Sequence, residues 1–465
     1  MKTVSTVLIA LLLASFAQAQ QRWTKTYGGG NYDRGYCVQL TGDGGYIVGG
    51  ITSSFGPGDY DYYLIKTDAS GDTAWTRTYG TSAEDADVGV VVISGGAYAV
   101  VGSSRPDTLS GDIWLLKINS SGDTVGSMKY AGGTGQYGYW IQPTPDAGYI
   151  ISGNTKSFGA GSHDIYLIKT DSIANSLWTK TYGGAGYEAG WAQPTLDGGY
   201  VICGWTNSFG AGSDDVYLIK TNSSGDTLWT RTYGGAANDE GSQVIQTTDS
   251  GYVIAATTYS RGAGNSDIWL IKTNSSGDTL WTKTFGGASY DEGYSVEKTT
   301  DGGYIIAGQT QSFGAGSSDV WLLKTNASGD TVWTRTYGGA GNDLGFMTHQ
   351  TSDGGYVVTG STNSFGAGAD DVYLIKTDAN GSIGVEEPNG QRLARRAQVF
   401  EALPNPFVSF CRIPGHETGS VDLYDVSGKL VGTYPGNRVG EGLSPAVYFI
   451  KSCERGESLR AVKVR

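Results

Sequence analysis

The chain has 465 residues, 74 of them Gly and only 11 Pro, with 17% charged side chains and a net charge of −13. That acidity speaks against nucleic acid or an anionic membrane surface as partner, because phosphate recognition needs clustered Lys and Arg. Four Cys are too few for a disulfide-held scaffold, and the Gly content with so few Pro fits tight turns between ordered strands rather than disorder.

Met1 and Lys2 precede an apolar run from Val7 to Leu13 and small residues ending Ala17-Gln18-Ala19, the layout of a secretory signal peptide cleaved after Ala19. The run is too short to remain as a membrane span. The segment Trp23-Thr-Lys-Thr-Tyr27 follows, reading as a lone strand.

A Tyr that follows Gly or Ala and opens an apolar run then recurs at Tyr46, Tyr98, Tyr149, Tyr200, Tyr252, Tyr304 and Tyr356, with gaps of 51 or 52 residues. A period near 50 suits four short strands with tight turns, the unit of a β-propeller blade. In the sixth repeat these are an a strand from Gly293, a b strand from Tyr304, a c strand from Asp319 and a d strand around Trp333. Asp-Gly, Ser-Gly and Gly-Gly between them supply the positive φ of hairpin turns.

The c strands number seven, opening at Asp61, Asp112, Asp164, Asp215, Asp267, Asp319 and Asp371. The d strands after the first repeat's c strand number six, marked by Trp75, Trp178, Trp229, Trp281 and Trp333, with Gly126 in the Trp slot of the second. The missing seventh is Trp23–Tyr27. The expected fold is therefore all-β: a seven-bladed propeller over residues 20–384, closed by the N-terminal strand, which removes the edge an open array would expose.

Positions that vary between blades are free to specialise. In the a strands one such position reads Cys37, Gly89, Trp140, Trp191, Gln243, Ser295, Met347, and a second reads Gln39, Val91, Gln142, Gln193, Ile245, Glu297, His349. The position between them is mostly apolar, so alternation places the variable pair on the opposite face, toward the channel if strand a is innermost. Trp140, Trp191, Gln142 and Gln193 then form an aromatic platform with amides, suited to a sugar ring, and Glu297 and His349 are further channel candidates. Plugging the channel is the plain alternative role for these side chains.

A second candidate is an acidic rim where the d-to-a and b-to-c connections emerge, with Asp33, Asp239, Asp291 and Asp343 as oxygen donors for Ca²⁺. No Asp-x-Asp-x-Asp-Gly loop is present, and turn formation accounts for the same Asp residues. None of the three His stands in a metal-ligand spacing or beside a nucleophile. Cys37 and Cys203 read as buried small hydrophobes, and Cys411 and Cys453 share the C-terminal segment, where a bridge is open either way.

After Gly384 the repeat stops. Residues 385–402 read as a charged linker, and 403–465 as a small antiparallel sandwich marked by Leu403-Pro-Asn-Pro-Phe407, Val421-Asp-Leu-Tyr-Asp-Val-Ser-Gly-Lys-Leu-Val431, Ala446-Val-Tyr-Phe-Ile-Lys451 and Val462-Lys-Val-Arg465. In that order these motifs resemble the type A C-terminal sorting domain of the type IX secretion system of Gram-negative bacteria. The polar Pro414–Gly419 stretch departs from the pattern. The resemblance implies an Ig-like domain, export by Sec and then by the type IX machinery as partner, and release or display at the outer-membrane surface. Residues 21–384 are similar to secreted bacterial propeller repeats with a Lys-Thr-Asp/Asn-x-x-Gly-Asp-Thr-x-Trp core, which implies fold and not ligand.

The expected function is a secreted or surface-displayed binding module for a glycan, a protein or envelope material. The alternatives are a polysaccharide-degrading enzyme, endoglucanase-like or an accessory to one, and a structural surface-layer role. An enzyme needs a second carboxylate beside Glu297.

Overall fold

The computed structural model describes residues 22–105, 111–133 and 135–383, and in the C-terminal region 420–424, 429–435, 446–452 and 458–463. The expected signal peptide, the expected linker 385–402, Cys411 and Cys453 lie outside the described residues. The chain divides into two units, Met1–Glu386 and Glu387–Arg465.

In the first unit the repeat folds into seven antiparallel sheets of four strands. Blade 1 is Asp33–Leu40 (a), Tyr46–Thr52 (b), Asp61–Thr67 (c) and Thr73–Tyr79 (d), and blades 2 to 6 repeat the a–b–c–d order. Strands b and c carry the Val/Ile/Leu/Tyr runs and are buried almost throughout, because both of their faces meet a neighbouring blade. The a strands of blades 2 to 7 are Glu84–Val92, Gln136–Pro143, Glu188–Pro194, Asp239–Gln246, Asp291–Lys298 and Asp343–Gln350. Each touches the a strands on both sides, blade 7 meeting blade 1, so the a strands enclose a central channel.

Blade 7 takes its outer strand from the other end of the chain. Trp23–Tyr27 pairs antiparallel with Asp371–Thr377, from Trp23 opposite Lys376 to Tyr27 opposite Val372. The same strand docks on blade 1. Tyr27 Oη donates to Gly71 O at 2.6 Å and Trp23 Nε1 to Ala69 O at 3.3 Å. Every junction whose d strand ends in Tyr repeats the hydroxyl contact, for example Tyr79 Oη to Gly122 O at 2.6 Å and Tyr233 Oη to Gly277 O at 2.6 Å. The Trp ring covers the turn so closely that a Cβ on Gly71, at φ +77°, would lie 2.7 Å from Trp23. Arg34 of blade 1 reaches back to Asp370 of blade 7 at 2.6 Å, and Asp33 N donates to Asp370 O at 2.8 Å.

A buried lysine fastens the a-to-b turn. Lys66 Nζ, on strand c, reaches Asp43 in the turn at 2.8 Å and donates to Thr67 O at 2.7 Å. Lys169–Asp146, Lys220–Asp197, Lys272–Asp249, Lys324–Asp301 and Lys376–Asp353 repeat the clasp at 2.8–3.0 Å. Blade 2 has Ser94-Gly-Gly96 in the turn and no Asp, and its Lys117 donates to Ser172 O of blade 3 instead.

The described residues of the second unit form one antiparallel sheet in the order Leu430–Pro435, Ser420–Tyr424, Ala446–Ser452, Ser458–Lys463. The expected sandwich needs a second sheet, which the described residues do not include.

Candidate functional site

Strand a does not alternate uninterrupted. A β-bulge separates Gly35 from Cys37, Gly138 from Trp140, Gly241 from Gln243, Gly293 from Ser295 and Gly345 from Met347, and a longer one separates Ala86 from Gly89. Blade 4 alone pairs without a break from Glu188 to Pro194. A bulge leaves its extra residue off the ladder and re-aims it. The extruded residues are Tyr36, Asp87 and Val88, Tyr139, Ser242, Tyr294 and Phe346, and all of them wall a cavity of about 410 Å³ in the channel. The Gly before the bulge has no room for a side chain: a Cβ on Gly345 would meet Val320 Cγ1 at 2.6 Å, and one on Gly35 Thr359 Oγ1 at 2.7 Å.

The cavity is mainly aromatic. Tyr36 and Tyr294 flank Phe346 at centroid distances of 5.3 and 5.4 Å, and Trp191 stands between Tyr139 at 6.1 Å and Trp205 at 5.4 Å. In blade 4, which lacks an extruded residue, Trp205 of strand b reaches the cavity and stacks on Tyr187 with 4° between the planes. Trp140 completes the wall, 8% exposed, with its indole N–H unpartnered; the Ser295 hydroxyl, in a side chain 2% exposed, is unpartnered too. Burial holds the Tyr139 and Tyr294 phenols well above their ordinary pKa, so both stay neutral donors.

Two carboxylates face the cavity, in different electrostatic settings. Asp87, in the left-handed region at φ +65°, is bonded by Arg105 and by Ser103 Oγ at 3.0 Å, and Arg105 also holds Glu84 at 2.6 Å. Burial still raises its pKa, against the pull of Arg105. Glu240 is half-buried and pairs with no Lys, Arg or His among the described residues. Burial raises its pKa first, and the charges of Asp214 and Glu292 add to the shift.

Of the residues expected from sequence, Trp140, Trp191 and Gln193 wall the cavity, together with Cys37, Gln243, Ser295 and Met347 of the same variable position. Cys37 is packed against blade 2, its Sγ accepting from Val90 N at 3.2 Å, and burial pushes the thiol up to about 12. Gln243 Oε1 accepts from Val296 N at 2.8 Å, tying blade 5 to blade 6. Gln142, Glu297 and His349 are outside the cavity lining. Glu297 Oε2 accepts from Gln350 N at 2.6 Å and Oε1 lies 3.3 Å from His349 Nδ1, so this carboxylate joins blade 6 to blade 7.

Asp33, Asp239, Asp291 and Asp343 are fully buried at the start of their a strands. Each accepts a backbone N–H from the loop that enters its blade, from Gly29 at 2.7 Å and from Gly235, Gly287 and Gly339 at 2.8 Å. Among the described residues no group of three or more His, Cys, Asp or Glu is arranged to hold a metal ion. No described helix is long and apolar enough to cross a membrane.

The residues that sequence reasoning missed are those extruded by the bulges, and Trp205. Their trace in the sequence is the Gly-aromatic step at Gly35-Tyr36, Gly138-Tyr139, Gly293-Tyr294 and Gly345-Phe346, and the spacing from Glu188 to Tyr200, 12 residues where Asp33 to Tyr46 is 13.

No family model matches the chain, and no curated protein sequence matches it. Among solved structures it is similar to PorZ of Porphyromonas gingivalis, described as an essential bacterial surface component of the type-IX secretion system, at 11% identity and a TM-score of 0.43, over 94% of this chain and 60% of that one. It is similar to a protein of unknown function from Dyadobacter fermentans at 11% identity and TM-score 0.43, over 77% and 98% of the two chains. A puromycin hydrolase gives 11% identity and TM-score 0.45 over 90% of this chain and 58% of its own. At that level of similarity none of them carries an argument about ligand or partner.

Proposed function

We propose that the propeller is a binding module of the cell exterior that takes a glycan unit into its central cavity, and that the C-terminal segment delivers it there through the type IX secretion system. The observation that supports binding is the cavity itself: aromatic faces from blades 1, 3, 4, 6 and 7 converge on one space that Gln193, Ser242, Gln243 and Glu240 also line. Apolar walls with a few polar groups that fix orientation are the usual make-up of a ligand site, and about 410 Å³ lies within the ordinary range for one. Export is supported by the signal-peptide layout and the ordered C-terminal motifs.

Catalysis of glycoside hydrolysis is the weaker reading. Glu297 is engaged with blade 7, and the cavity's two carboxylates differ in kind, Asp87 held by Arg105 and Glu240 free. A glycan array probed with the wild type and with a Trp140→Ala/Trp191→Ala variant tests the binding reading. Loss of a specific glycan signal in the variant is expected; equal signal from both proteins would remove the cavity from the account.

A further inference from the structure

We propose that the ligand carries a positive charge, an amine or ammonium group, seated against Glu240 on the side of the cavity formed by blades 5 and 6. This rests on the reading of the cavity as a glycan site and narrows it to a sugar bearing a free amine.

Charge is balanced on one side of the cavity and not on the other. On the blade 2 side Asp87 has its counter-ion: Arg105 binds it, and the guanidinium is further fixed over the Tyr137 ring at 4.9 Å. On the opposite side the negative charge is not balanced. Glu240 has no basic partner among the described residues. Glu292, next along in blade 6, accepts from Gln309 Nε2 at 2.7 Å and from the Tyr294 hydroxyl, which are neutral donors. Asp214 adds a third acid close enough to act on Glu240. Arg261, the one Arg in the sequence of blade 5, donates to Gly234 O at 3.1 Å and covers Trp269 at 5.1 Å.

A half-buried carboxylate beside further acids is costly unless a cation meets it. The wall next to it is built for one. Tyr294, which feels the charges of both Glu240 and Glu292, leads to Phe346 at 5.4 Å, and Phe346 to Tyr36 at 5.3 Å. Aromatic faces around a space attract a cation through their quadrupole, and more strongly when it is desolvated, as it is inside a channel. Carboxylate and rings together discriminate an amine from the hydroxyl it replaces.

The test is calorimetric titration of the full chain with three probes of equal length: a glucosamine trisaccharide, an N-acetylglucosamine trisaccharide and a glucose trisaccharide, plus tetramethylammonium as a bare cation. The glucosamine trisaccharide is expected to bind at least about tenfold more tightly than either neutral one, the ratio expected for a hydrogen bond to a charged group. Glu240→Gln, which keeps the side chain's size, is expected to erase that difference and leave the melting temperature unchanged. Asp72→Asn removes the same charge from an outer turn, where the side chain is 70% exposed, and is expected to leave the difference intact; equal loss in both variants reduces the effect to net charge and overturns the proposal. Equal binding of all three sugars overturns it while the glycan reading stands. Binding of tetramethylammonium alone, dependent on Glu240, upholds the cation site and removes the glycan reading. No binding of any probe overturns both.

Discussion

Removal of the N-terminal strand tests ring closure. A chain that starts at residue 30 loses the five-residue pairing of Trp23–Tyr27 with strand c of blade 7 and the docking on blade 1. The ladder itself changes little: each backbone bond contributes about 1 kcal/mol net, and ordering each residue costs about 1–2 kcal/mol. The loss therefore resides in side chains. Trp23, half-buried over Gly71 and edge-on to Tyr46 at 5.8 Å, is worth roughly 3 kcal/mol, the low end for Trp truncation. The Tyr27 hydroxyl on Gly71 O adds about 1 kcal/mol. About 4 kcal/mol is a large part of a typical total of 5–15 kcal/mol. Urea denaturation followed by Trp fluorescence should show the midpoint falling sharply for the truncated chain, and Trp23→Ala alone accounting for most of the fall. An unchanged midpoint in the truncated chain would refute closure by this strand.

Three further outcomes follow from particular residues. Lys66 and Thr41, against the upward push of burial, hold Asp43 at about 2, Lys169 and Thr144 hold Asp146 at about 2, and Asp197, Asp249 and Asp301 are also at about 2. Since unfolded Asp titrates at about 3.9, the clasps stabilise the fold above that pH and lose their contribution as pH falls toward 2. Melting temperature should accordingly drop steeply across that window, and a flat profile there would contradict the ion-pair reading. Gly71→Ala should lower the denaturation midpoint more than Gly44→Ala: both sit at positive φ, yet a Cβ at Gly71 strikes Trp23 at 2.7 Å whereas Gly44 has nothing within 4 Å. With Cys411 and Cys453 replaced by Ser, the native chain should not react with a thiol reagent at pH 8, because burial raises Cys37 to about 12 and Cys203 higher still. Rapid labelling of Cys37 would show that the blade 1 to blade 2 seam opens.

The ring was legible because its determinants are local and repeated. The Tyr period, the Asp-Gly turns and the Trp-Thr-Lys-Thr-Tyr27 strand without a blade of its own were sufficient to expect seven blades and their closure. The cavity was legible in half. Trp140, Trp191 and Gln193 stood out because they vary where neighbouring positions do not. Tyr36, Tyr139, Tyr294 and Phe346 did not, since parity reasoning assumes an unbroken strand and a bulge shifts one residue out of the count. Trp205 was hidden for another reason: in blade 1 the matching position is Ile51, a packing residue, and only the missing bulge of blade 4 goes with a large ring reaching the channel. Glu297 and His349 share a face with Ser295 and Met347 by alternation, yet they lie outside the cavity lining, where Glu297 meets Gln350 N and His349 across blades 6 and 7. The clasp lysines, apolar in context and paired with turn Asp residues 23 positions away, became visible only in three dimensions.

Ligand density in the channel is the most direct measurement. A crystal of the full chain soaked in the glucosamine trisaccharide should show a sugar ring between Trp191 and Phe346 with its amine at Glu240. An empty channel with the trisaccharide ordered elsewhere on the propeller would contradict the account.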